Sequence, residues 1–130
     1  MSTTFDTAAQ ITGEASGAIP QYARVTGPVG ADRVFTVAAV DDRADAILLS
    51  PALADGESGL FKLLSGADTN YGIADGSITA GDKVYGADDG ELSDTQAVDA
   101  FAEGYAITAA AADGDVIEWR YKPELTAGTE

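Results

Sequence analysis

A phrase that occurs twice constrains this chain more than any other feature of its sequence. Ala54-Asp55-Gly56 recurs as Ala112-Asp113-Gly114, 58 residues further along. The same shift places Ala39-Val40-Asp41 on Ala97-Val98-Asp99. Alanine-rich sequence produces such identities easily, so the match indicates either a duplicated structural unit or a chance resemblance between two common turns.

The pattern of side chains favours duplication. In the run after each Asp-Gly, Phe61 aligns with Trp119 and Lys62 aligns with Arg120. Because strand side chains alternate between two faces, both copies place an aromatic residue on one face and a cation on the other. Asp-Gly suits a corner, since Asp bonds the backbone ahead and Gly accepts a positive φ. We therefore expect two strand-corner-strand units, within about 22–64 and 80–122.

Short runs rich in β-branched and aromatic residues, separated by Gly, Asp and Pro, predict an all-β fold, a compact sandwich or barrel. Asp89-Gly90 between two such runs predicts a hairpin. Alanine-rich segments 49–55 and 108–113 predict helical turns or compact loops, and 95–101 predicts a short helix. The expected strands are 22–26, 33–40, 46–50, 59–64, 70–74, 82–86, 104–108 and 115–122.

The two ends of the chain lack this alternation of strand-like runs and turn residues. Residues 1–20 are rich in Thr, Ala, Ser and Gly and predict an extended N-terminal arm. Residues 21–122 then form a single β domain, and 123–130 a flexible C-terminal tail. The start of the chain has neither the basic region nor the apolar run of a signal peptide, so we expect synthesis in the cytoplasm of a host cell. No segment approaches the length of a membrane span.

The charge of the chain is strongly one-sided. It has 22 acidic and 7 basic residues, a formal net charge of −15. Such a chain repels itself in dilute buffer, whereas molar salt shortens the screening length to about 3 Å. This indicates adaptation to brine, as in a halophilic archaeon or its viruses; the alternative is an ordinary acidic domain. Without clustered Lys or Arg, nucleic acid and anionic membranes are not expected as partners.

The sequence offers little catalytic chemistry. It contains no histidine and no cysteine, which excludes Ser-His-Asp and Cys-His relays, disulfides and thiolate zinc sites. We therefore predict no catalytic residue, no cofactor and no metal site. Hard cations prefer carboxylate oxygens on flexible loops, but a solvated acidic turn is the preferred interpretation of these residues. The acidic turn comprises Asp88, Asp89, Glu91 and Asp94.

A family resemblance rests on residues 78–121. Ile78-Thr79-Ala80-Gly81-Asp82-Lys83-Val84-Tyr85 is followed by Asp89-Gly90-Glu91-Leu92 and then by Ala112-Asp113-Gly114-Asp115-Val116-Ile117. These segments resemble the capsid decoration (cement) proteins of tailed viruses, which commonly read I-x-A-G-D-x-V-Y before a turn with Gly. Glu103 departs from the usual apolar residue before Gly104, and Trp119 is bulkier than the common Val.

The resemblance implies a structural virion protein, a homo-oligomer and specifically a homotrimer, on the outer surface of the capsid. It implies binding to the major capsid protein and reinforcement of the shell, with arm 1–20 lying on the capsid protein or on a neighbouring subunit. A virus of a halophilic archaeon fits the charge. The aromatic set Phe61, Trp119 and Tyr121 is expected in the core because it shares one strand face.

Two other functions remain open from the residues alone. One is a β-rich binding module of a virus tail or a halophile surface protein, which binds cations or glycans. The other is an enzyme that uses paired carboxylates, whose activity would be lost on changing a carboxylate such as Asp113 to Asn. We do not expect it, because adjacent carboxylates such as Asp41-Asp42 and Asp88-Asp89 are common on so acidic a surface.

Overall fold

The computed structural model describes residues 10–66 and 68–129, and its regular structure is almost entirely β. A 3-10 turn spans Asp88–Gly90. No helix in the described part of the chain is long and apolar enough to cross a membrane. The all-β class is confirmed. The strands are β1 Gln10–Ser16, β2 Arg24–Val29, β3 Val34–Val37, β4 Ala46–Leu48, β5 Ser58–Leu63, β6 Thr69–Ile73, β7 Lys83–Gly86, β8 Leu92–Ser93, β9 Ala102–Ala106 and β10 Val116–Tyr121.

The first five strands close a barrel in the order β1-β3-β2-β4-β5. β1 is parallel to β3 and antiparallel to β5, so it completes the ring. Closure gives every strand a neighbour on both sides and leaves no unpaired edge. Phe35 and Phe61 stack inside, with ring centroids 4.0 Å apart.

The last five strands repeat this arrangement. Their order is β6-β10-β9-β7-β8. The first barrel has the same order, β1-β5-β4-β2-β3, when its ring is followed from β1 through β5, so β6 to β10 correspond to β1 to β5. The difference is that the ring of the second unit is open between its first and third strands. A single parallel bridge, Ala74 to Leu92, lies where the first unit pairs β1 with β3. β5 begins at Ser58 and β10 at Val116, in the 58-residue register of the sequence. The structural repeat therefore spans five strands, and its copies begin at β1 and β6 rather than near residues 22 and 80.

A glycine at the same place in each unit admits a large side chain into the core. A Cβ on Gly13 would lie 2.5 Å from the ring of Phe35, and a Cβ on Gly72 would lie 2.7 Å from Nε1 of Trp119. Each core therefore depends on a strand that carries no side chain at this point.

The prediction that the aromatic set lies in the core is confirmed for Phe61 and Trp119 and only in part for Tyr121. Phe61 belongs to the first core, and Trp119 belongs to the second; both are fully buried. Tyr121 is half-buried and meets Trp119 edge-on, with ring centroids 6.1 Å apart. Ile47 of β4 contributes its side chain to the second core, so the two units share apolar contacts.

The predicted N-terminal arm is wrong from residue 10 onward. Gln10–Ser16 is β1, and Ile19 forms a bridge with Leu53. Thr, Ala and Gly give this run a weak hydrophobic pattern, whereas its backbone finds partners in two distant strands. Residues 1–9, the rest of the predicted arm, lie outside the described residues.

The predicted flexible tail is wrong for residues 123–129. Ala127 bridges Phe101, and the backbone N–H of Gly128 donates to the carbonyl of Ala100 at 2.8 Å. Glu124 forms an ion pair with Lys83, also at 2.8 Å. These contacts hold the segment against the loop before β9; Glu130 lies outside the described residues.

Two of the three predictions for the connecting segments are confirmed, and the third is wrong. Segments 49–55 and 108–113 are compact loops, and each contributes one bridge residue, Leu53 or Ala110. The Asp89-Gly90 hairpin is confirmed by the pairing of β7 with β8. The helix predicted for 95–101 is wrong: Asp99 takes φ 68, and its backbone N–H donates to the carbonyl of Gly128.

Candidate functional surfaces

The repeated Asp-Gly phrases occupy equivalent corners. The Oδ1 atom of Asp55 accepts the backbone N–H of Gly17 at 2.8 Å, and that of Asp113 accepts the N–H of Gly76 at 3.4 Å. In each case the carboxylate holds the chain just beyond the first strand of its unit. The first acidic residue of both phrases therefore has the same structural role.

A second carboxylate completes each corner. Glu57 Oε1 accepts the N–H of Ala54 at 2.7 Å, and Asp115 Oδ2 accepts the N–H groups of Ala111 and Ala112 at 3.0 and 3.1 Å. These bonds satisfy backbone donors that the turn leaves unpaired. Each copy of the duplicated phrase is thus a corner that its own carboxylates close. The sequence predicted the corner, whereas the hydrogen bonds that close it are seen only in the structure.

The acidic turn singled out from the sequence does not form one cluster. Asp89 sits at φ 59 in the 3-10 turn, and Asp94 accepts a hydrogen bond from the hydroxyl of Thr95 at 3.2 Å. Glu91 instead joins Asp75 and Asp113, and one carboxylate oxygen of each lies within 4.8 Å of the other two. Asp75 and Asp113 come from loops far apart in sequence, so spacing along the chain gave no signal for this grouping.

Burial and neighbouring negative charge both disfavour ionisation in this three-carboxylate cluster. Partial burial and, secondarily, the negative charges of Asp113 and Asp75 raise the pKa of Glu91 above its ordinary value. Three carboxylates offer oxygen ligands of the kind that hard cations prefer. A surface with 22 acidic residues also forms such groups without an ion. We therefore describe the cluster as a concentration of negative charge and assign no metal to it.

A buried ion pair joins the two units. Arg24 in β2 donates from Nη1 to Glu103 Oε2 in β9 at 2.9 Å, and both side chains are fully buried. Burial lowers the pKa of Arg24 and raises that of Glu103, while the attraction between them opposes both shifts. Glu103 Oε2 also accepts the backbone N–H of Ala44 at 3.0 Å.

The remaining N–H groups of Arg24 donate to backbone carbonyls of both units. Nε donates to Glu91, and Nη2 donates to Ala87 at 2.8 Å. Asp42 and Ala39 accept the others. The pair was not predicted from the sequence, although the unusual acidic residue before Gly104 was a signal for it.

Comparisons with known proteins give the fold a counterpart. No protein-family profile matches the chain, and no curated protein matches it in sequence. Among solved structures, it is similar to the head fiber gp8.5 N base of bacteriophage phi29. The TM-score is 0.73 at 20% identity, over 92% of this chain and 99% of that chain. At this identity the likeness shows a shared fold.

The described residues form surface concavities of different chemistry. A groove of about 540 Å³ lies between the first unit, where Ile19 and Leu53 line it, and the turn that carries Asp89 and Glu91. The second concavity, about 470 Å³, has a different chemistry, since it is lined by aromatic rings and cations. Its residues are Gly66, Tyr105, Arg120, Tyr121 and Lys122.

Proposed function

We propose that this chain is a structural virion protein that binds the major capsid protein on the outer surface of a tailed-virus head and stabilises the shell. The observation that carries the proposal is the shared fold with the phi29 head fiber N base, which extends over nearly all of both chains. The sequence resemblance to capsid decoration proteins supports it independently, because it rests on residues 78–121 and not on topology.

The composition supports a role without catalysis. A chain with no histidine and no cysteine lacks the commonest nucleophile activators, and the proposal assigns it no cofactor, no nucleic acid and no membrane partner. Its carboxylates have structural uses where the structure describes them, as in the Asp-Gly corners. These observations favour a scaffold over an enzyme.

Purified particles test the proposal directly. We expect mass spectrometry to find the chain in purified virions, and electron microscopy with a labelled antibody to place it at regular intervals on the head. Finding the chain only on the tail would favour the alternative binding module. Its absence from purified particles would reject the virion role.

The capsid contact needs its own experiment. Because β1 of the first barrel begins at Gln10, a deletion that tests the predicted arm must stop at residue 9. If the arm binds the major capsid protein, removing residues 2–9 lowers occupancy on isolated shells while the melting temperature stays unchanged. Full occupancy would show that the contact lies on the folded body.

The proposal includes self-association, specifically as a homotrimer. Light scattering coupled to size exclusion gives the molar mass of the purified protein, and a mass near three times 13.2 kDa is the expected result. A monomeric mass at all concentrations and salt levels would contradict it.

The proposal also places the protein in brine, in a virus of a halophilic archaeon. With a net charge of −15, raising potassium chloride from 0.1 M to 2 M screens self-repulsion and raises the melting temperature. A melting temperature that is flat or falls over this range would favour the ordinary acidic domain.

A further inference from the structure

We infer that the concavity of Tyr105, Arg120, Tyr121 and Lys122 is a contact surface for an acidic turn of a second copy of this chain. The inference rests on the self-association in the proposed function, and it names the residues that make the contact. It does not depend on the virion role.

Most of the cations are committed elsewhere. Arg24 is buried against Glu103, and Lys62 is paired with Asp68 at 2.9 Å. Arg43 stacks over the Phe101 ring at 4.8 Å. Lys83 is neutralised by Glu124. Of the remaining three cations, Arg120 and Lys122 line one concavity, and Arg33 is exposed in the turn between β2 and β3.

The strands place the two cations beside tyrosines. Arg120 of β10 is the register partner of Tyr105 in β9, so their side chains share the outer face of the sheet. Lys122 Nζ lies 5.9 Å from the centroid of the Tyr105 ring. Arg120 is tethered by a hydrogen bond from Nη2 to the carbonyl of Gly66 at 3.1 Å. None of the described residues that line the concavity carries a carboxylate.

This combination suits a carboxylate-bearing partner. Tyrosine and arginine are enriched at protein interfaces, and a guanidinium donates two parallel hydrogen bonds to a carboxylate. A second copy supplies that chemistry, because it carries a net charge of −15 and presents exposed acidic turns such as Asp55-Gly56-Glu57 and Asp88-Asp89. Charge complementarity therefore favours the second copy as the occupant.

The contact joins two different surfaces. A cationic concavity on one copy meets an acidic turn on the next, so the interface is heterologous and leads to a closed ring when the rotation closes. A homotrimer is one such ring. A contact between identical surfaces would instead bring Arg120 and Lys122 of both copies together, where like charges repel.

Zero-length cross-linking identifies the partner of Lys122. The full-length protein is mixed as natural and ¹⁵N-labelled chains and treated with a carbodiimide, which joins an amine to a carboxylate in direct contact. We expect mixed-isotope peptides that join Lys122 to an acidic turn. Lys83 and Glu124, 2.8 Å apart within one chain, form the internal control for the reaction. Exclusively same-isotope links from Lys122 would overturn the inference.

A variant pair measures the energetic role. Arg120→Gln with Lys122→Gln removes two positive charges, and Arg33→Glu, in an exposed turn, changes the net charge by the same amount. We expect at least tenfold weaker self-association for the first variant by analytical ultracentrifugation, and little change for the second, with circular dichroism confirming that both fold. Equal weakening in both would assign the effect to net charge and overturn the inference. Self-association unaffected by either would reject this surface while leaving oligomerisation intact, whereas a monomeric parent protein would reject both.

Discussion

Buried polar side chains in this protein differ widely in how well they are compensated. Arg24 places each of its five N–H donors on an oxygen. Glu103 uses one carboxylate oxygen and leaves Oε1 without a protein partner. Asn70 is 3% exposed, and neither atom of its amide has a protein partner. An unpaired buried amide costs free energy, so Asn70 marks a weak point in the second core.

The first unit shows what Asn70 replaces. Its counterpart in β1 is Ile11, which packs on the first core. We expect Asn70→Leu to raise the free energy of unfolding by about 1–2 kcal/mol, because it removes two unpaired polar atoms next to Trp119. Urea denaturation measures the change. Asn70→Asp, nearly equal in size, is the control and lowers stability by burying a charge; a destabilised Leu variant would show that the amide has a partner in solution.

Glu91 provides a pH-dependent prediction. Its raised pKa means that the folded chain binds this proton more tightly than the unfolded chain, whose value lies near 4.5. The stabilisation that this bound proton gives the folded chain is complete below about pH 4.5 and is lost as the pH rises through the raised pKa of Glu91.

Replacing Glu91 by Gln removes the charge at neutral pH. We expect a modest gain, about 0.5 kcal/mol at low salt, which shrinks in molar salt and vanishes below pH 4.5. Thermal melts at pH 4 and pH 7.5 measure it. Glu57→Gln, which changes the same charge at a corner carboxylate that is hydrogen-bonded, serves as the contrast and gives no gain. A Glu91→Gln gain that is independent of pH would contradict the ionisation of Glu91 as its source.

At the scale of elements, each unit depends on the corner before its last strand. Gly56 and Gly114 adopt φ 83 and φ 89 in equivalent turns. A Cβ at either glycine would meet no atom within 4 Å, so space does not limit the position. Only backbone conformation does, because an L-residue at positive φ is strained.

We therefore expect Gly56→Ala and Gly114→Ala to cost similar amounts, about 1–2 kcal/mol each. Chemical denaturation of the two single variants tests the equivalence of the corners. Gly104→Ala is the contrasting control: its Cβ would clash with the carbonyl of Arg120, and we expect it to cost much more. A corner variant with no cost would show that the turn relaxes away from positive φ.

At the scale of the whole molecule, the two units are joined through buried groups. Arg24 of the first unit reaches Glu103 and the carbonyls of the second, and Ile47 packs in the second core. Arg43 extends the junction with a hydrogen bond to the carbonyl of Glu124 near the end of the chain. Because these contacts cross the boundary, we expect the units to unfold together in one transition.

The ion pair tests that junction. Arg24→Met leaves Glu103 charged and buried without its partner, and we expect a loss of about 3–5 kcal/mol. The double variant Arg24→Met with Glu103→Leu removes both charges and recovers much of that loss. Calorimetry follows stability and cooperativity together. Two separate transitions in the wild-type protein, or a double variant as unstable as Arg24→Met alone, would contradict this account.

Much of the fold could be predicted from the sequence because most strands have a recognisable local residue pattern. Eight of the ten strands fall within or beside predicted runs, since β-branched and aromatic residues alternate there between Gly and Asp turns. β1 was missed because Gly13 and Ala15 give it little hydrophobic signal. β8, with two residues, is too short for any period. Asp75, Glu91 and Asp113 could not be grouped, because the contact between their loops is tertiary.

The sequence by itself determined the β class, the 58-residue register, the Asp-Gly corners and the absence of histidine and cysteine chemistry. These follow from local periodicity, turn preferences and composition, all of which act over a few residues. Only the tertiary structure decided that the first copy closes into a five-stranded barrel while the second stays an open five-stranded sheet. It also decided that Arg24 pairs with Glu103 across the units, and that Arg120 and Lys122 meet two tyrosines in one concavity. Those features depend on contacts between distant segments. The free energy of such a contact depends on both segments together, so no single stretch of the chain predicts it.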